Sequence, residues 1–266
     1  MTKFEIHIDI NQYEELDKLA LTACQKENFG NNVDWFTTFR GGLHGFLARV
    51  YGIEVHYNSL HSWRYKIQSA KEHEYHVGSL LFNMDSALEC FTFALNALGF
   101  GLLGEGFIDV SNDKELRGIN PKNVIGNKQA NPPLNPRLGY QNLFPNVQKY
   151  WLEKEELILS IIEQHDVSKH RTQIIKGGKS RLDAPDGFYE KLNIDDKPEC
   201  QFLFWPIERV YLRANSKISC NNRTVDNQAG KIYLEWVVEQ YGEFLKMTVS
   251  KTVENLKKYL KSKIAF

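Results

Sequence analysis

Apolar residues recur at intervals of three and four along most of the chain, which is the spacing typical of amphipathic helices. The first run follows Asn11, which we interpret as an N-cap, and it includes Leu16 and Ala20. A second run extends from Val33 to Tyr51, where three glycines predict either a break or a close contact between helices. These runs predict a mainly α fold.

The strongest helical pattern extends from Leu60 to Leu102. A single straight helix over that span would be roughly 60 Å long, because each residue adds about 1.5 Å. That length is too great for one compact domain of this size. We therefore expect a kink or a break near Gly78.

Two further helices are predicted from Phe144 to Ile175 and from Lys231 to Lys261. Insertions rich in polar and turn-forming residues occupy about 104–143 and 176–230. The second insertion contains a β-prone patch around Pro206, which confines it to an edge or to short strands. The sequence thus predicts a single domain over 1–266: a helical bundle of about five principal helices, with long polar loops and a small β or irregular insertion before the C-terminal helix.

Composition limits the classes of function. Lys and Arg number 33, as do Asp and Glu, so the formal net charge is zero. This balance argues against a surface that binds nucleic acid everywhere, but it permits a local basic patch. The four cysteines form no C-x-x-C pair, and we find no signal peptide and no run of about 18 uncharged apolar residues. We therefore expect a cytoplasmic protein with reduced thiols and no membrane partner.

Most of the candidate chemistry lies at the end of the helix predicted over 144–175. Asp166 and His170 are four residues apart, so their side chains share one helical face. A carboxylate that orients an imidazole is typical of acid–base sites, and His165 and Arg171 flank the pair. The alternative is the solvated end of a helix, where cations are attracted to the negative C-terminus.

Five cations follow one another at this helix end and in the loop after it, and they predict a surface that binds the phosphates of RNA. They are Lys169, Arg171, Lys176, Lys179 and Arg181. An ordinary basic surface is the alternative interpretation.

Metal-binding and nucleotide-binding motifs are weak or missing in the sequence. His73 and His76 are three residues apart beside Glu72 and Glu74, but they do not complete a recognisable ligand set. Gly-x-Ser-x-Gly, Walker A and dinucleotide-binding fingerprints are absent from the sequence. We therefore expect no metal site and no other cofactor.

The segment from Ser79 to Gly99, followed later by a helix that ends in Lys169-His170-Arg171, resembles the two central helices of the HEPN superfamily. The resemblance covers about a third of the chain. HEPN proteins are α-helical bundles of prokaryotic defence and toxin–antitoxin systems, and many are dimeric, metal-independent RNases. The resemblance implies one HEPN-like domain, a homodimer and an RNA partner. Glu89 matches the acidic position on the first long helix of the family.

The family's catalytic signature is an Arg followed after four to six residues by a His. Arg171 has no such His after it, and the forward match from Arg49 to His56 precedes the helix where the family carries the signature. The resemblance therefore implies a catalytically degenerate binding or interaction module associated with RNA.

Two alternatives remain open. One is a metal-independent endoribonuclease in which His170 is the general base, oriented by Asp166 and assisted by Arg171, with His165 in a rearranged site. The other is a structural dimerisation protein, for which the apolar patch around Trp205 would supply a contact surface.

Overall fold

The computed structural model describes residues 4–26, 34–62, 70–126, 131–170, 211–213 and 231–264. These residues are mainly α-helical, with a small two-stranded antiparallel sheet before the C-terminal helix. The fold class predicted from the sequence is therefore confirmed. The helices are α1 (Ile10–Lys26), α2 (Asp34–Ser62), α3 (Ala70–Leu103), α4 (Asp113–Leu116), α5 (Lys122–Ile125), α6 (Leu138–Leu143), α7 (Pro145–Glu153), α8 (Glu155–His170) and α9 (Leu234–Ile264).

Helix α1 is capped by Asp9 and not by Asn11. The Asp9 carboxylate accepts a hydrogen bond of 2.9 Å from the backbone N–H of Asn11. Asn11 therefore lies in the first turn of the helix, where its N–H is one of the donors that need a cap.

Helix α2 continues without a break through its glycines, and two of them, Gly42 and Gly45, lie in a close contact with α3. A methyl group on Gly42 would lie 2.8 Å from the Ala94 nitrogen and 2.9 Å from the Cys90 carbonyl oxygen. A methyl group on Gly45 would lie 3.0 Å from the Cys90 sulfur. Of the two alternatives predicted for this region, close helix contact is confirmed and the break is wrong.

Helix α3 is unbroken at Gly78, so the break expected there is wrong, while the alternative of a kink stays a prediction. Its 34 residues span roughly 50 Å. The expected limit on helix length holds for a helix within one compact domain. Helix α3 instead contributes residues to two compact units of the chain. The predicted span from Leu60 also includes residues 63–69, which lie outside the described residues.

The stretch Tyr75–Leu103 of α3 is long and apolar enough to cross a membrane by length and composition alone. However, 72% of its most apolar window is buried within the protein, as in the core helix of a water-soluble protein. The expectation of a protein without a membrane partner stays a prediction.

Three predicted boundaries differ from the structure. The region predicted as a loop over 104–143 contains the short helices α4, α5 and α6. The helix predicted over 144–175 is divided at Lys154 into α7 and α8. Its predicted end at Ile175 lies outside the described residues. Lys231–Tyr233 forms strand β2, which pairs with β1 (Tyr211–Arg213) before α9 begins.

Contacts divide the chain into two compact units. Unit 1 consists of Met1–Glu5, Gly52–Asn83 and Leu159–Gln240, and unit 2 consists of Ile6–Tyr51, Met84–Ile158 and Tyr241–Phe266. The single domain expected over 1–266 stays a prediction.

Within unit 1, the extended segment at the N-terminus is held against α2. The side-chain amide of Asn58 accepts a hydrogen bond from the Phe4 N–H at 2.9 Å and donates one to the Phe4 carbonyl at 2.8 Å. The Phe4 and Tyr57 rings pack with their centroids 4.5 Å apart. One amide thus satisfies both backbone groups of Phe4, as a neighbouring strand would.

Unit 2 has an aromatic core with few polar groups. Trp35 packs over Gly101, where a methyl group would overlap the indole ring. The buried Asn96 amide donates to the Ile108 carbonyl and accepts from the Ile108 N–H, which fixes the chain after α3. The Trp151 indole N–H donates to the Thr248 hydroxyl at 3.0 Å. Buried polar side chains of this unit therefore brace loops and helix pairs.

Candidate functional site

The structure describes part of the site predicted at the end of α8. The half-buried His165 packs against Phe82 of α3, with ring centroids 5.5 Å apart and ring planes at 67°. Asp166 is exposed. Lys169 and His170 lie in the last turn of α8, but the described part of the chain does not include their side chains. The contact between Asp166 and His170 therefore stays a prediction.

The remaining basic residues of the predicted RNA surface lie outside the described residues. They are Arg171, Lys176, Lys179 and Arg181. The apolar patch around Trp205 also lies outside them, so the homodimer stays a prediction. Glu89 is exposed on the part of α3 that belongs to unit 2, whereas 165–170 belong to unit 1.

Unit 1 contains a histidine pair that the sequence did not predict. His56 of α2 faces His76 of α3, and their Nδ1 atoms are 3.0 Å apart. The ring centroids are 5.2 Å apart. Because the centroids are farther apart than the nitrogens by about two ring radii, the two Nδ1 atoms point almost directly at each other. This is the geometry of an imidazole–imidazole hydrogen bond.

The same geometry differs from that of two ligands on one metal ion, whose lone pairs converge on a point beside the line that joins them. Within the described residues, no group of three or more His, Cys, Asp or Glu side chains is placed to hold a metal ion. The sequence had paired His76 with His73, whose side chain lies outside the described part.

Burial makes both imidazoles of the pair harder to protonate. It lowers the pKa of His56, and the charge of His76 lowers it further. Burial also lowers the pKa of His76, although the nearby Glu72 carboxylate opposes this shift. Both rings are therefore neutral at pH 7, and one donates its Nδ1–H to the other.

Two aromatic rings lie beside these imidazoles on α3. Tyr75 contacts both His56 and His76 with ring planes near perpendicular, and its side chain is 64% exposed. Phe82, which contacts His165, is 41% exposed. Seven residues separate Tyr75 from Phe82, so they share one face of the helix, roughly 10 Å apart along its axis.

We call this group the aromatic–imidazole surface. It consists of Tyr75, Phe82, His56, His76 and His165, all in unit 1. One signal in the sequence pointed to it: Tyr75 and Phe82 do not fall on the apolar stripe of α3 that includes Leu80, Leu81 and Met84. The pairing of His56 with His76 had no local signal, because the two residues are on different helices.

Unit 2 contains a separate shallow cleft of about 450 Å³. It is lined by hydroxyl and carboxylate side chains on an apolar floor, among them Thr37, Thr38, Ser111, Asp113, Phe93 and Leu116. The polar members Thr37, Ser111 and Asp113 are exposed, and they provide no distinctive chemistry.

Comparisons of the chain with family models, with curated proteins and with solved structures found no match.

Proposed function

We propose that this chain is a HEPN-like, catalytically degenerate binding module that holds single-stranded RNA on its aromatic–imidazole surface. The resemblance of 79–99 to HEPN helices associates it with prokaryotic defence or toxin–antitoxin systems in the cytoplasm. The observation that carries the proposal is the placement of two exposed aromatic rings, Tyr75 and Phe82, on one face of α3 beside three imidazoles.

Exposed aromatic rings bind unpaired bases by stacking. Each stacked base contributes about 1 to 3 kcal/mol and little sequence preference, because every base has a flat face. Tyr75 and Phe82 are each in contact with an imidazole, which restricts the motion of the ring. A ring that is already oriented loses less entropy on binding.

A single exposed aromatic residue is ordinary on a protein surface. Here two of them share one helix face, and His165 lies next to the second ring. His165 also begins the last part of α8, which leads to Lys169 and then to the four cations from Arg171 to Arg181. Aromatic rings for the bases and cations for the phosphates are the two components of a site for single-stranded nucleic acid.

The first prediction is that substitution of either ring weakens RNA binding. In a fluorescence anisotropy titration with a labelled oligouridylate, Tyr75→Ala and Phe82→Ala should each lower the affinity roughly five- to a hundredfold, since each loses one stacking contact of about 1 to 3 kcal/mol. Affinity should also fall steeply with salt, because phosphate contacts release counterions.

Tyr51→Ala is the matched control, because Tyr51 is also 64% exposed but lies on α2 in unit 2. It should bind like the unchanged protein. Equal affinities for Tyr75→Ala and Tyr51→Ala, or salt-insensitive binding, would contradict the proposal.

The same RNA incubated with the protein in the presence of a chelator separates binding from cleavage. Intact RNA supports the degenerate module. Cleavage that His170→Ala abolishes would instead favour the endoribonuclease, with His170 as general base.

A further inference from the structure

We propose that His56 and His76 act as one proton-binding unit, which takes up a single proton when RNA binds and thereby makes RNA affinity depend on pH. This inference rests on the proposed function, because it concerns regulation of the same surface. Its basis is the Nδ1-to-Nδ1 distance of 3.0 Å between the two rings, together with their contact with Tyr75.

The neutral pair has a fixed arrangement of protons. One ring must donate its Nδ1–H, so its Nε2 atom is unprotonated. The other ring accepts at Nδ1 and therefore carries its own proton on Nε2. The hydrogen bond between His56 and His76 thus selects a different tautomer for each ring.

The first added proton is compatible with this arrangement. It binds to the unprotonated Nε2 of the donor ring and leaves the bond between the rings in place. That bond becomes an N–H⁺···N interaction, and hydrogen bonds with a charged donor are stronger than neutral ones. The pair then carries one positive charge in contact with Tyr75.

A second added proton is not compatible with the hydrogen bond between the two rings. That proton would have to bind the Nδ1 atom that accepts the hydrogen bond, so two N–H groups on two cations would face each other across 3.0 Å. Like charges at this distance disfavour the charged form of both groups. The pair therefore binds one proton and resists the next.

In the protein without RNA, the surroundings of the pair favour its neutral form. Burial opposes the charge on both rings, while the Glu72 carboxylate, one turn before His76 on α3, favours a charge on His76. Tyr75 contacts both rings. A phosphate of RNA at this surface adds negative charge, which favours protonation. By linkage, a ligand that promotes proton uptake binds more tightly as the pH falls.

The test is a titration of oligouridylate binding from about pH 7.5 to about pH 5.5, the range in which histidine changes charge. Uridine is chosen because it has no group that titrates in this range. Affinity should rise by roughly tenfold, and by no more than about a hundredfold across these two pH units, since uptake of one proton gives at most a tenfold change per pH unit. His56→Asn and His76→Asn should each remove most of this rise.

His44→Asn is the control, because His44 is exposed and lies in unit 2. It should leave the pH dependence unchanged. The inference is overturned if the affinity of the unchanged protein does not vary with pH, or if the His56→Asn protein shows the same pH dependence as the unchanged protein. Either result leaves the proposed RNA binding itself standing. Absence of binding at every pH overturns the proposed function itself, and this inference with it.

Nuclear magnetic resonance of the imidazole nitrogens in the RNA-free protein gives an independent readout. We expect the two rings to report one shared protonation event. Two independent titrations of His56 and His76 would overturn the inference.

Discussion

Two fully buried tyrosines of unit 2 differ in the surroundings of their hydroxyl groups. The Tyr241 hydroxyl donates to the Met84 carbonyl at 2.6 Å, whereas the Tyr140 hydroxyl has no hydrogen-bond partner among the described residues. Tyr241→Phe should lower the free energy of unfolding by about 0.5 to 1.5 kcal/mol, the usual contribution of one hydrogen bond. Tyr140→Phe should leave it unchanged or raise it by up to about 1 kcal/mol, because the lost hydroxyl was unsatisfied.

Urea denaturation of both variants measures these differences. A larger loss of stability for Tyr140→Phe than for Tyr241→Phe would mean that the Tyr140 hydroxyl does have a partner.

Single residues show which features of the site the sequence could predict. His165 and Asp166 were singled out because they are close in sequence, and the structure describes both on α8. The partner of His76 was not found, because His56 comes from another helix and no local pattern connects the two. Sequence spacing predicts which residues share a helix face, but contacts between helices depend on how the helices pack.

The glycines of α2 illustrate packing between elements. Gly42 faces α3 so closely that a methyl group would meet backbone atoms of Ala94 and Cys90, whereas a methyl group on the neighbouring Gly41 would meet nothing within 4 Å. Gly42→Ala should therefore cost about 1 to 3 kcal/mol through overpacking. Gly41→Ala should stabilise the protein by up to about 1 kcal/mol, since alanine favours the helix.

Thermal unfolding of the two variants, followed by circular dichroism, tests this pair. The expected result is that the two changes have opposite signs. If both variants are stabilised, α2 and α3 are not in close contact at Gly42.

The principal helices were predictable, but several of their boundaries were not. Periodicity of apolar residues identified α1, α2, α3 and α9, since burial of one face determines where such residues occur. It gave no warning that α3 continues through Gly78, because the limit on helix length holds only for a helix within one compact unit. It also missed the cap at Asp9, because both Asp9 and Asn11 are residues that favour the N-cap position.

At the scale of the whole molecule, burial of tyrosines predicts loss of stability in alkali. Burial raises the pKa of Tyr13, Tyr140, Tyr150 and Tyr241 in the folded protein. The unfolded chain releases these protons near pH 10, before the folded protein does. The stability that depends on neutral tyrosines is therefore complete below about pH 10 and is lost as the pH rises through the folded values.

Tyrosinate absorbance and circular dichroism, recorded in one alkaline titration, should show that part of the ionisation coincides with unfolding. Tyr140→Phe should shift the unfolding midpoint to higher pH, whereas Tyr51→Phe, which changes an exposed tyrosine, should not. Ionisation of all tyrosines well before the helices unfold would refute this expectation.

The composition of the chain narrows the classes of function that are possible, but it does not identify the function. Zero net charge argues against a protein whose whole surface binds nucleic acid, and the proposed aromatic–imidazole surface is accordingly local, with two rings and three imidazoles. Neither charge nor periodicity could bring those residues together, because they come from α2, α3 and α8.

The close approach of α2 to α3 also affects the chemical reactivity of Cys90. Burial raises the pKa of its thiol, so less of the reactive thiolate is present at neutral pH. Its sulfur and its carbonyl oxygen both face the glycines of α2, which leaves little space for an added group. Alkylation of the half-buried Cys90 should therefore be slower than that of an exposed thiol, so the rate of labelling at this one sulfur would report how closely the two helices pack.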